Sequence, residues 1–197
     1  MDFDRLNKQI AFVVEIDKLK GIVRQTLLTD GSRQEDSAEH SWHLSMMALV
    51  FSEYAKEKGI DLFRVLKMVL IHDLVEIDAG DTFCYDERGN GDKARREKLA
   101  ADRIFALLPE DQAVEFRLLW EEFESRETGE AKFGAALDRL QPLLNNYVTN
   151  GRMWLKHQVK SRQVLERNRS IEDGAPVLWD HAAKIIREAV ENGWLPQ

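Results

Sequence analysis

One cysteine, Cys84, is all this 197-residue chain holds, so no disulfide can close within it. A reducing compartment is its natural setting. No apolar run approaches the ~18 residues of a spanning helix, so no membrane partner is expected. Met1-Asp2-Phe3-Asp4-Arg5 has neither the basic nor the apolar region of a signal peptide, and a cytoplasmic location is expected. Basic charge is in deficit: 28 Lys and Arg face 35 Asp and Glu, a net charge of −7. That balance excludes duplex nucleic acid as the main partner, because a phosphate backbone demands a basic footprint. A small nucleotide remains open to it, since that needs only a local cationic pocket or a metal. Strand-type alternation of useful length is missing, as are repeats, low-complexity tracts and linkers.

What is present reads with helical period nearly throughout. Leu6, Ile10, Val13, Val14 and Leu19 suggest a first helix ending near Gly21. Residues 22–35 read as a polar, irregular connection. Asp36 and Glu39 have the spacing of a capping box, which opens a helix running to about Lys58, before Gly59. Asp61 caps the next helix, whose face carries Leu62, Val65, Leu66, Val69 and Leu70. Residues 80–91 read as an exposed loop. Helical patterns resume over 92–108, 110–124 and 129–149, a short helix lies near Lys156–Arg167, and a last one starts at Pro176. The expected fold is all-α, a bundle of about seven or eight helices in a single domain over 1–197. Its core covers about 19–150, with a helical extension over 151–197.

Four side chains in a set order carry the chemistry: His40, the pair His72-Asp73, and Asp138. Imidazole with carboxylate suits a divalent transition metal. His40 and His43 share a helical stripe with Met47, Val50 and Tyr54, and satisfied core histidines are the alternative there. Asp73 and Glu76 continue the apolar face of Leu62, Leu66 and Val69, with no Arg partner at helical spacing. A buried carboxylate needs a cation or a polar cavity. Asp138 flanks the core stripe of Phe133, Leu137, Leu140 and Leu144. An exposed Asp paired with Arg139 or Arg103 is the competing reading for it.

These residues and their surroundings resemble the HD-domain metal-dependent phosphohydrolases, whose pattern is a single His, then His-Asp, then a distant Asp. The 5′-deoxynucleotidase branch is the nearer likeness. It is carried by Leu19-Lys20-Gly21-Ile22-Val23-Arg24, Ser37-Ala38-Glu39-His40-Ser41, Ile71-His72-Asp73-Leu74-Val75-Glu76, Gly80-Asp81, Leu107-Leu108-Pro109, and Glu130-Ala131-Lys132-Phe133 with Leu137-Asp138. The resemblance implies that His40, His72, Asp73 and Asp138 bind one divalent metal ion (Mn, Co, Fe, Ni, Zn or Mg). It implies Glu76 and Asp81 as catalytic carboxylates, Asp81 also toward the sugar, and Arg24, with Arg33 a second candidate, as phosphate-binding residues. Gln25 stands where some members carry a tryptophan. His43 is not one of the four ligands of the pattern and either hydrogen-bonds the phosphate or a ligand or packs in the core.

The implied activity is that of a metal-dependent phosphomonoester hydrolase, a 5′-deoxynucleotidase acting on nucleoside 5′-monophosphates, with a homodimer as the implied assembly. The alternatives are another HD-domain phosphohydrolase, acting on diesters or triphosphates, and a non-catalytic nucleotide sensor. The chain offers only His43 and Glu76 as further ligands nearby, which favours one metal over two. One metal and one arginine are lean for a triphosphate.

Overall fold

The computed structural model describes residues 3–197. Eight α-helices of eight residues or more are present among them: α1 (Phe3–Ile16), α2 (Ser37–Phe51), α3 (Leu62–Ile71), α6 (Lys93–Phe105), α7 (Glu110–Ser125), α8 (Gly129–Val148), α10 (Ser161–Asn168) and α12 (Pro176–Glu191). Single-turn helices α4 (Glu76–Ala79), α5 (Glu87–Asn90), α9 (Arg152–Lys156) and α11 (Ile171–Gly174) link them. The fold is the all-α bundle that the helical periodicity predicts.

Local chemistry places the helix starts. The Asp36 carboxylate accepts from Glu39 N at 2.8 Å, and Glu39 reaches back to Asp36 N at 3.1 Å, completing the capping box. Asp61 caps α3 through Arg64 N at 3.1 Å, and Thr128 caps α8 through Ala131 N at 3.2 Å. Pro176 opens α12, where its missing N–H costs nothing.

The longest helix, α8, runs through the core and packs on α2, α3, α7, α11 and α12. Phe133, Leu137 and Leu140 on it are fully buried. A Cβ added at Gly134 would lie 3.2 Å from Phe123 and 3.4 Å from Val69, so this glycine lets α8 approach α3 closely. One buried apolar cluster extends from Phe12 to Leu195.

The structure corrects four local expectations. Residues 22–35 are not irregular: β1 (Val23–Leu27) and β2 (Gln34–Asp36) pair antiparallel, Val23 with Asp36 and Leu27 with Gln34, with a bulge between. So short a pair, with burial that does not alternate along β1, leaves no period-2 signal to read. α2 stops at Phe51, short of Lys58: the chain passes into a 3₁₀ turn, Ser52–Tyr54, and Lys56 N then donates to Gly174 O at 2.8 Å rather than into a continued helix. Its buried face is Ser37, His40, Ser41, Leu44, Met47 and Ala48, while Val50 is exposed beside Trp42, Met46 and Leu49. The segment Asp81–Tyr85 is half-buried rather than an exposed loop, since Phe83 and Tyr85 pack against the core. Arg96 ties this segment down through Ala79 O, Thr82 Oγ1 and Gly89 O.

Candidate metal centre

His40 projects from the second turn of α2. His72 and Asp73 lie where α3 tightens into a 3₁₀ turn, His72–Val75, and Asp138 is near the middle of α8. The ligand atoms of His40, His72 and Asp73 all lie within 4.8 Å of one another, and the three residues are buried. Asp138 Oδ1 closes the group, 3.1 Å from His40 Nε2 and 3.8 Å from His72 Nε2. His72 Nε2 stands 3.1 Å from Asp73 Oδ1. Adjacent side chains thus reach one point, and residues about 100 positions apart in sequence are brought against them.

Each histidine is set by its other nitrogen. His72 Nδ1 is 2.9 Å from Val69 O, so it carries the proton and leaves the Nε2 lone pair facing the cluster. That Nε2 is buried without a hydrogen-bond partner, which is the state of a metal ligand rather than of a satisfied core histidine. His40 Nδ1 lies 3.1 Å from Gln141 Oε1, again directing Nε2 inward. The Gln141 amide then donates to Glu35 Oε1 at 2.6 Å and approaches His43 Nδ1 at 3.2 Å. His43 therefore belongs to the layer behind His40, joined to it through Gln141. Sequence reasoning passed over Gln141 and Glu35. The only signal for either is a polar residue at a core position, Gln141 three residues after Asp138.

The electrostatics favour a cation at the centre. Burial and the Arg24 charge pull the His40 pKa down, but Asp138, Glu35 and Asp73 outweigh them and raise it to about 9. Burial pushes Asp138 up, yet hydrogen bonds and charge from His40 and His72 hold it well below the usual carboxylate range. Two imidazoles and two carboxylates match a divalent transition metal, and these four residues would hold it.

The other candidate residues fall in different places. Arg24, on β1, turns its Nη1 to Asp73 Oδ2 at 2.7 Å, with Glu35 Oε2 3.8 Å from its Nε and Glu76 Oε2 4.0 Å from its Nη1. It is the arginine partner that helical spacing did not offer Asp73, and it arrives from a strand. Glu76 is buried and accepts from Ser37 Oγ at 2.7 Å. Burial and the neighbouring Asp73 raise its pKa well above the usual value, against Arg24 and the Ser37 hydrogen bond. Asp81 follows the left-handed Gly80 turn (φ 74°), and burial raises it too, against Arg24. Arg33 is not part of this group. It is exposed and pairs with Glu39 at the mouth of α2.

A cleft of about 670 Å³, open to solvent, adjoins the cluster; Arg24, Asp81 and Asp138 form one end. Gln25, Phe83, Tyr85 and Trp154 contribute its sides, so aromatic surface comes from the 81–85 segment and α9 rather than from the position after Arg24. Trp154 lines the cleft as well as forming part of the core. Arg139, Asn146, Arg167 and Asn168 also line it, so residues beyond 150 contribute to the cleft. Burial and the facing Arg167 lower the Arg139 pKa to about 10.

The model of the HD domain matches residues 16–179. Human 5′-deoxynucleotidase HDDC2 is 35% identical over 112 residues, 57% of this chain and 53% of that protein; the zebrafish protein of the same name is 31% identical over 140 residues, 71% and 68%. The chain spans about half the length of the human relative. A crystal structure described as a predicted metal-dependent phosphohydrolase from Magnetospirillum magnetotacticum superposes with a TM-score of 0.94 at 53% identity, covering 98% of this chain and 96% of the other. With this likeness running through both the bundle and the ligand-bearing helices, the chain belongs to the HD-domain family of metal-dependent phosphohydrolases.

Proposed function

We propose that the protein hydrolyses nucleoside 5′-monophosphates, deoxy forms among them, to nucleoside and phosphate, with one divalent metal held by His40, His72, Asp73 and Asp138. The observation that carries this reading is the juxtaposition of the four ligands with Glu76, Asp81 and a solvent-open cleft lined by aromatic side chains. The HDDC2 relatives support the nucleotide part of it.

When bound, the metal polarises the phosphoryl group and lowers the pKa of a coordinated water. The protein's own groups supply the proton steps. Water oxygen bonds to phosphorus, the P–O5′ bond breaks, and the 5′ oxygen leaves as an alcohol. Glu76, beside Asp73 and oriented by Ser37, takes the proton of the attacking water. Asp81 faces the cleft where the sugar would lie and returns a proton to the 5′ oxygen. Arg24 holds Asp73 and keeps positive charge at the phosphoryl end. The unpartnered Asn146 Oδ1 in the cleft is an acceptor for a hydroxyl or amine of the nucleoside. Exposed Trp42, Met46, Leu49 and Val50 on α2 support the homodimer, which sedimentation would measure.

The test is phosphate release from dAMP, AMP, dATP and a simple diester by metal-loaded protein, alongside Glu76→Gln. The monophosphates should be cleaved and the other two left. Glu76→Gln should keep its metal and lose on the order of 10²–10⁴ in turnover. Rapid release from dATP or diester cleavage alone would refute the substrate, and near-normal turnover by Glu76→Gln would refute its role.

A further inference from the structure

Two arginines face the cleft without an ion pair of their own. Arg139 comes from α8 and Arg167 from the last turn of α10, and both are half-buried. Among the described residues neither makes an ion pair or a hydrogen bond, and Arg139 Nε is fully buried without a partner. Several arginines elsewhere are paired: Arg64 has Glu122, Arg103 has Asp78 and Glu15, and Arg117 has Asp102 and Glu121; Arg126 Nε, like Arg139 Nε, is buried without a partner but does not line the cleft. A guanidinium drawn partly out of water without a counter-charge is costly, and two on one wall repel each other. An anion received between them removes both costs, and the guanidinium fork suits a phosphoryl or carboxylate group.

The pair is distinct from the metal end of the cleft. The charges around Arg24 are those of Asp73, Glu76, Asp81 and Asp138. Around Arg139 they are Arg167 and Arg126, with Asp138 the one charge shared with the metal end. Successive residues of an α-helix diverge by ~100°, so Arg139 leaves α8 in a different direction from the ligand Asp138. The hydrolysed phosphoryl group already has the metal site and Arg24 beside it. Two further positive charges exceed what one phosphoryl group requires.

We propose that Arg139 and Arg167 form a second anion subsite, which binds a phosphoryl or carboxylate group that the substrate carries in addition to the phosphoryl group hydrolysed at the metal. The inference rests on the nucleotidase reading and narrows it. The substrate class becomes a nucleoside 5′-phosphate with a second anionic group, on the sugar or on the base. The net charge of −7 does not oppose this, because the positive charge of the pair is local to the cleft.

The experiment compares three substrates with the metal-loaded protein: a nucleoside 5′-monophosphate, the corresponding 3′,5′-bisphosphate, and a pyrimidine 5′-monophosphate whose base bears a carboxylate. One of the two-anion substrates should show a KM at least about tenfold below that of the plain monophosphate. Arg167→Gln should remove most of that difference, and Arg167→Lys should restore part of it. A preference for the bisphosphate identifies a phosphoryl group as the second anion, and a preference for the other identifies a carboxylate. Equal KM values for all three, or an equal loss on all three in Arg167→Gln, would overturn the proposal. Equilibrium dialysis with inorganic phosphate gives a readout independent of turnover. Wild type should bind two phosphates per chain and Arg167→Gln one. A single phosphate on wild type, or two retained on the variant, would overturn the subsite even if nucleotides are hydrolysed. Two on wild type and one on the variant, with no nucleotide cleaved, would keep the subsite and reject the nucleotidase reading.

Discussion

Gln141 shows how the candidate metal site is held by residues outside the ligand set. Its carbonyl oxygen takes the His40 Nδ1 proton, and its amide nitrogen meets both Glu35 and His43. Gln141 and His40 are at 0% exposure and Glu35 at 2%, so water does not readily replace a lost partner on the His40 and Glu35 sides. Gln141→Leu keeps approximate volume and strips every one of these contacts. It should lower metal affinity by roughly 10–100-fold, the range for losing an outer partner of a ligating histidine. A competition titration with a chromophoric chelator measures it. Affinity within twofold of wild type would mean that Asp138 alone orients His40.

At the scale of elements, the site depends on how closely α8 and α3 approach. Gly134 sets that distance against Phe123 and Val69, and the Phe123 ring also lies 4.8 Å from the His72 imidazole. A side chain at 134 therefore pushes on the same ring that backs a metal ligand. Gly134→Val should destabilise the fold by about 1–3 kcal/mol, the usual cost of overpacking a filled core. It should also weaken metal binding, because His72 and Asp138 sit on the two helices being separated. Denaturant unfolding reads the first effect and metal titration the second. Unchanged metal affinity in a destabilised variant would show that the helices yield elsewhere.

At the scale of the molecule, folding concentrates negative charge at one point. Asp73, Glu76, Asp138 and Glu35 converge around Arg24 and two histidines. The unfolded chain has no such cluster, so a divalent ion binds the native state preferentially and stabilises it. Saturation at 100 times Kd contributes about 2.7 kcal/mol. For a chain of this length that corresponds to a fall in Tm of roughly 5–10 °C on chelation. Calorimetry with and without chelator, followed by metal add-back, tests this. Equal Tm values in all three samples would mean that the cluster holds no ion.

The sequence by itself determined the fold class, since apolar residues at helical spacing and helix caps such as Asp36, Asp61 and Thr128 act over a few residues. It also determined the order His40, His72-Asp73, Asp138, along with the acidic balance that excludes long polyanions. Only the tertiary structure decided what those residues meet. The Arg24 partner of Asp73 is 49 residues away and arrives from a strand. Gln141 meets His40 and Glu35 at separations of 101 and 106 residues. Arg33 was drawn instead to Glu39, six residues along the same chain segment. The cleft joins β1, the 81–85 segment, α8, α9 and α10, five pieces with no common periodicity. Local spacing decides which face of a helix a side chain occupies. Which charges stand opposite that face depends on packing between elements, and no local pattern records that.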